Sequence, residues 1–199
     1  MKVGAIVLCG GTSRRMGRPK ASLPFGTETM LGRVVRILRN AVEPVVVVAA
    51  AGQEVPSLPA NVGIIPDERP GRGPLEGFAA GLTALAGRAD AVFLSSCDVP
   101  FLKPQFISRM IDLLGDAEAC VPEVEGTRHS LAGVYRLSVL DAVNEMLKEG
   151  ELRFSSLLGR VRTRFVDAAS LRDVDPELES LWNVNTPADY EAALRKLQL

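Results

Sequence analysis

A three-layer α/β fold, with helices on both faces of a mostly parallel sheet, is predicted by three observations. Apolar runs of strand length alternate with segments whose apolar residues recur at helical spacing, the order that builds such a sheet. The first apolar run, Val3 to Leu8, leads straight into a glycine-rich loop. A later run, Ala91 to Ser95, is followed by Asp98 just past its carboxyl end, where open α/β sheets place their ligands.

The elements follow in order. Val3 to Leu8 is the first strand. Thr29 to Asn40 carries Met30, Leu31, Val34, Val35, Ile37 and Leu38 at helical spacing, and the continuous apolar run Val45 to Ala51 predicts a buried second strand. Residues 52 to 61, rich in Pro and Gly, read as a loop or weak helix before a short third strand, Val62 to Pro66. Leu75 to Ala86 reads as a helix and Ala91 to Ser95 as the next strand. Pro104 opens a helix over Gln105 to Leu114. Ala119 to Pro122 and Leu131 to Tyr135 are strand candidates, with a turn at Gly126-Thr127 between them. A helix over Leu137 to Lys148, a helical stretch over Leu152 to Leu158, and a late strand over Thr163 to Val166, antiparallel or at the sheet edge, come next. Thr186 caps a last helix from Pro187 to Leu197, with Asp189 in its first turn.

A length of 199 residues with 47% hydrophobic content suits one α/β core, so residues 1–199 are expected to form a single domain. A net charge of -1 gives no bulk attraction for nucleic acid or an anionic membrane. No apolar run is long enough to span a bilayer. The N-terminal stretch contains Gly4 and leads into a functional loop rather than a cleavage site, which predicts a cytoplasmic protein. Cys9, Cys97 and Cys120 contain no CxxC pair, so buried thiols are expected rather than a disulfide framework or a zinc cluster.

The loop after the first strand reads Cys9-Gly10-Gly11-Thr12-Ser13-Arg14-Arg15-Met16-Gly17-Arg18-Pro19-Lys20. Gly10 and Gly11 let main-chain N–H groups approach an anion, while Arg14, Arg15 and Lys20 add fixed positive charge. Together they predict nucleotide phosphate chemistry, although the spacing matches neither GxxxxGK[ST] nor GxGxxG. The plainer alternative is a strand-to-helix turn with solvated arginines. Asp98 suits Mg²⁺, which takes one or two carboxylates together with substrate phosphates and water; an ordinary turn aspartate before Val99-Pro100 is the alternative there.

Four segments carry a resemblance. LCGGTSRRMGRPKASLPFG resembles the LAGGxSxRMGxxK signature of the nucleotidyltransferases related to molybdenum cofactor guanylyltransferase, with Cys9 in place of the usual alanine. IIPDERPGRGPLEG (residues 64–77), FLSSCDVPFL (93–102) and WNVNTPADY (182–190) follow in the family's order. The resemblance implies a Rossmann-like nucleotidyltransferase fold that transfers GMP from GTP to the terminal phosphate of molybdenum-molybdopterin, releasing pyrophosphate. It implies Mg²⁺, with Mn²⁺ as a substitute, held by Asp98, and Arg15, Lys20 and Asp98 as the catalytic groups. Nucleotide binding would fall to Leu8, Cys9, Gly10, Gly11, Lys20, Asp67, Gly73, Pro74, Leu75, Gly77, Asp98, Asn183 and Asn185. Implied partners are GTP and a molybdopterin-type acceptor, with cofactor-insertion proteins or molybdoenzymes beyond them, and neither nucleic acid nor membrane.

Chemistry supports guanine at Asp67, because a carboxylate accepts from both the ring N1–H and the exocyclic amine, a donor pair that cytosine lacks. A salt bridge from Asp67 to Arg69 or Arg72 is the structural alternative. The chain departs from the family at Glu76, where GPLAG has alanine, and after the second strand, where an asparagine is usual and Ala50 stands nearby. Ser130 follows His129 where the family has proline. Asn185 reads either as a side-chain oxygen aimed into the cleft or as part of a helix cap. The alternatives in function are a cytidylyltransferase on a molybdopterin-type or other phosphorylated acceptor, a sugar-phosphate nucleotidyltransferase, and a non-catalytic nucleotide- or cofactor-binding accessory protein.

Overall fold

Val3–Leu8 forms β1, and its residues bury alternately on opposite faces of the sheet. The structure, a computed structural model, describes residues 1–10, 19–67, 69 and 72–198. A 3-10 turn at Lys20–Ser22 leads into the hairpin β2 (Pro24–Phe25) and β3 (Glu28–Thr29), then α1 (Met30–Arg39), β4 (Val45–Ala50) and β5 (Gly63–Asp67). The chain continues through α2 (Pro74–Leu85), β6 (Ala91–Ser96), α3 (Pro104–Leu113), β7 (Ala119–Val124), β8 (Thr127–Arg128) and β9 (Val134–Arg136). It closes with α4 (Val139–Lys148), α5 (Phe154–Arg160), β10 (Thr163–Asp167) and α6 (Pro187–Leu197).

Among the described residues one sheet runs β10-β7-β9-β6-β1-β4-β5, with β8 paired to β7. The β1–β4, β1–β6, β4–β5 and β7–β10 pairs are parallel. The expectation for the late strand is corrected in one respect: Thr163–Asp167 does lie at the sheet edge, but it runs parallel to β7. The antiparallel strand is β9, which opposes both β6 and β7. Leu131 to Tyr135 is not one strand either, because Ser130–Ala132 forms a 3-10 turn before β9 begins.

Three layers result. Ala5 and Val7 of β1 pack with Leu31, Val34 and Leu38 of α1 and Phe106 and Met110 of α3. Ile6 and Leu8 pack with Leu75, Phe78 and Leu82 of α2, in a cluster that also holds Val143 and Met146 of α4 and Leu157 of α5. Phe78, Tyr135 and Phe154 meet edge-on or tilted at 5.1–5.8 Å between ring centres, and the Tyr135 hydroxyl donates to Ser130 O at 2.7 Å.

Local chemistry fixes the helix starts. The Thr29 hydroxyl accepts from Gly32 N at 3.1 Å, and Thr186 and Asp189 form a reciprocal capping box on α6. The α2 helix lies close on the sheet because Gly81 faces Ile6: a Cβ there would come within 2.7–2.9 Å of three Ile6 side-chain atoms. Gly81→Ala should therefore lower stability. Overpacking of about 2 kcal/mol outweighs the roughly 1 kcal/mol gained in helix propensity. A calorimetric melt should show the midpoint falling by about 2–4 °C.

Candidate active site

The carboxyl ends of β5, β4, β1 and β6 lie side by side in that order, and the predicted site residues gather along this line. Asp67 ends β5 in register with Ala50 of β4; Leu8 ends β1 in register with Val48 of β4 and Ser96 of β6. Asp98 sits two residues past β6.

Lys20, on the 3-10 turn after the loop, reaches across to this end of β6. Its ammonium lies 2.7 Å from Asp98 Oδ2 and 2.8 Å from Asn185 Oδ1, and the Lys20 and Asp98 side chains are only 16% and 12% exposed. Asp98 Oδ1 accepts from Ser96 Oγ at 2.6 Å and from Asn183 Nδ2 at 3.0 Å. The segment bearing both asparagines is tied to the same aspartate, since Val184 N donates to Asp98 O at 2.9 Å. Thr186 supplies the α6 cap, which leaves the Asn185 oxygen for the cleft. Two oxygen acceptors thus converge on one cation, a donor set suited to a hard divalent ion. Among the described residues no three His, Cys, Asp or Glu side chains cluster for a metal. An ion at Asp98 would therefore draw its other ligands from neutral oxygens, water and substrate.

Asp67 is nearly buried, and its Oδ1 accepts from Arg69 N at 3.0 Å. The ion pair expected as an alternative forms elsewhere: the Arg72 and Arg69 guanidinia lie 2.9 and 3.6 Å from Glu76 Oε1, although neither contact has hydrogen-bond geometry. Glu76 thus uses its place in the first turn of α2 to gather the arginines of the preceding loop. Gly73 takes φ 93° to cap this helix, a backbone angle that favours glycine. At Gly77 a Cβ would lie 3.3 Å from Leu8 and 4.0 Å from Asp67 Oδ2, so the bare backbone keeps α2 against the base of the cleft. The side chains of Leu8, Cys9 and Leu75 are buried, Pro74 begins α2, and Gly10 is exposed. Gly11 and Arg15 lie outside the described residues, as does Arg14.

Cys9, Cys97 and Cys120 are buried free thiols, as expected. The Cys9 thiol is drawn below its ordinary value mainly by a hydrogen bond with Cys97, burial opposing and Gln53 assisting. Cys97 moves well up, through the same bond and its own burial. Sequence reasoning missed Gln53, whose side chain bonds Cys9 O at 3.0 Å and Ala50 N at 3.3 Å. On the far side of Asp98 a cavity of about 320 Å³ is lined by Val99, Arg128, His129, Leu131 and Asn183, among others. Burial holds His129 below the usual imidazole value, which keeps it neutral at neutral pH.

Residues 5–163 match the MobA-like NTP transferase domain. This chain belongs to that family. It is 38% identical over 199 residues to a probable molybdenum cofactor guanylyltransferase of Mycobacterium tuberculosis, covering 97% of this chain and 94% of that protein. Among solved structures it resembles molybdopterin-guanine dinucleotide biosynthesis protein A from Archaeoglobus fulgidus, with a TM-score of 0.77 and 23% identity over 100% of this chain and 99% of that one. A manganese complex of another M. tuberculosis protein aligns with a TM-score of 0.58 and 21% identity over 98% of this chain and 99% of that one. At these identities the two structures speak for the fold. Among the described residues no helix is long and apolar enough to cross a membrane.

Proposed function

We propose that this MobA-like NTP transferase moves GMP from GTP to the terminal phosphate of a molybdopterin-type acceptor, forming the guanine dinucleotide and releasing pyrophosphate. The observation that carries the reading is the Lys20–Asp98–Asn185 cluster at the end of β6, in line with the Asp67 carboxylate at the end of β5. The name of the M. tuberculosis relative supports the guanine and molybdenum cofactor assignment. Buried free thiols suit a cytoplasmic setting.

In this reading Asp67 accepts from N1–H and the exocyclic amine of guanine, while main-chain atoms of Leu8 to Gly10 and of Gly73 to Gly77 border the nucleotide, and Gly11 is assigned to it on sequence grounds. The triphosphate runs from there toward Lys20 and Asp98. An acceptor phosphate oxygen attacks the α-phosphorus, the new P–O bond forms as the bond to the β-phosphate breaks, and pyrophosphate leaves. The nucleophile is already an anion, so no side chain has to remove a proton. Lys20 offsets charge gathering on the phosphates, and Arg15 is assigned the same task on sequence grounds. Asp98 and Asn185 fit Mg²⁺ or Mn²⁺, which supplies charge neutralisation on the triphosphate when bound. The cavity beside Asn183 gives the acceptor room on the side of Asp98 away from Asp67. Insertion proteins or molybdoenzymes would receive the product.

Calorimetric titration with GTP, CTP and ATP, each with Mg²⁺, tests the reading. GTP should bind best, and Asp67→Asn, which puts an amide donor against guanine's donors, should weaken it by at least about tenfold. Preference for CTP would replace this reading with the cytidylyl one. Binding without pyrophosphate release in the presence of a competent acceptor would favour an accessory protein.

A further inference from the structure

The ladder between β1 and β4 changes character at its carboxyl end. Cys9 N donates to Val48 O at 2.8 Å, the last direct rung. A parallel ladder would continue with Ala50 N donating to Cys9 O. Instead Ala50 N donates to Gln53 Oε1 at 3.3 Å, and Gln53 Nε2 donates to Cys9 O at 3.0 Å. One side-chain carboxamide is spliced in where a direct peptide–peptide bond would stand, so the strand ends are separated by the width of an amide.

The local chain is shaped for this. Gly52 takes φ 76° and Gln53 N donates to Ala50 O at 3.0 Å, so the turn folds the glutamine side chain back over its own start. The brace lies between two parts of the nucleotide site. Cys9 and Gly10 stand on one side, and Gly10 faces the same gap, since a Cβ on it would stop 4.0 Å from Ala50 N. On the other side Ala50 is in register with Asp67, and Ala51 N donates to Asp67 O at 3.3 Å. Lys20 and Asp98 meet beyond β1, past the carboxyl end of β6.

We propose that Gln53 is a positioning residue for the nucleoside half of the substrate. Its carboxamide sets the separation between the Cys9–Gly10 main chain and the Ala50–Asp67 edge, the gap a planar base enters, and leaves the phosphate half to Lys20 and Asp98. The proposal rests on the nucleotide-transfer reading and deepens it.

The test compares wild type, Gln53→Ala and Gln53→Glu by titration with GTP, GMP and inorganic pyrophosphate, each with Mg²⁺, and by steady-state kinetics. Gln53→Glu keeps an acceptor for Ala50 N but sets a carboxylate oxygen against Cys9 O. It is close in shape to glutamine, so it decides the matter if the alanine variant fails to fold. Both variants should lose GTP and GMP affinity about tenfold, the scale of one or two lost hydrogen bonds. Pyrophosphate affinity should stay within about twofold, and KM for GTP should rise while kcat holds. Unchanged GTP affinity would overturn the role of Gln53, as would equal losses of GTP and pyrophosphate, which would mark general collapse of the loop. Should wild type prefer CTP, the guanine reading falls, and the same comparison with CTP against pyrophosphate decides on Gln53.

Discussion

Asp98→Ala should lower pyrophosphate release by about a hundredfold to a thousandfold, the scale on which loss of one preorganised electrostatic group slows a transfer reaction. The Asp98 carboxylate accepts from Lys20, Ser96 and Asn183. Alanine would take the carboxylate away from the ammonium and from a divalent ion and would release the Asn183 amide. Asp98→Asn keeps the shape and one acceptor oxygen but carries no charge. If charge is what matters, both variants should be similarly slow while melting within a few degrees of wild type. The check is pyrophosphate release at saturating GTP and acceptor, with Mn²⁺ affinity of the nucleotide-free protein measured beside it. Near-normal turnover in Asp98→Asn would remove Asp98 from its assigned role.

Asp98 was readable in the sequence because a parallel strand buried on both faces is a continuous apolar run, and its end marks where ligands collect. The same signal located β1 and β4, and Thr186-Pro187 with Asp189 marked the start of α6. Strand direction was not readable in this way. Whether a short segment such as Val134–Arg136 pairs parallel or antiparallel depends on the path of the chain around it. The break before β9 depends on contact too: a Cβ on Gly133 would lie 2.8 Å from Cys120 O, on a strand distant in sequence. The β2–β3 hairpin has two residues per strand, too few for a period, and only Gly26 with φ 67° hints at its turn.

Within the site, residue types that announce charge chemistry were legible and residues that act through the main chain were not. Lys20, Asp67 and Asp98 stand out by type and position. Gln53 does not, because its closest partners are backbone atoms of Ala50 and of Cys9, 44 residues away, with the Cys9 thiol farther off at 3.5 Å. Glu76 was visible as a departure, but its pairing with Arg69 and Arg72 needed the fold.

Asp175→Ala should produce the largest loss of stability, about 3 kcal/mol, because it breaks a buried ion pair by removing one partner. The Asp175 side chain is fully buried and lies 2.7 Å from Lys103 Nζ, and it accepts from Ser180 N at 2.8 Å and Glu179 N at 3.2 Å. Lys103 also lies 2.9 Å from Glu179, which Lys196 of α6 pairs in turn, so the variant loosens the segment that leads to Asn183 and Asn185. A melting midpoint lower by roughly 6–12 °C is expected for a chain of this size, with a several-fold fall in kcat as the asparagines lose their frame. The pH dependence separates this cause from simple cavity formation. Burial alone would raise the Asp175 pKa, but the hydrogen bond from Lys103 and those at Ser180 outweigh it and hold the carboxyl below its ordinary value. Its contribution is thus complete above the unfolded value near 4 and is lost as pH falls through the depressed folded value. The gap in melting midpoint between wild type and Asp175→Ala should be constant from about pH 5 to 8 and should narrow below about pH 4. A gap that stays constant down to pH 2 would mean that packing, and not the ion pair, anchors this segment beside the site.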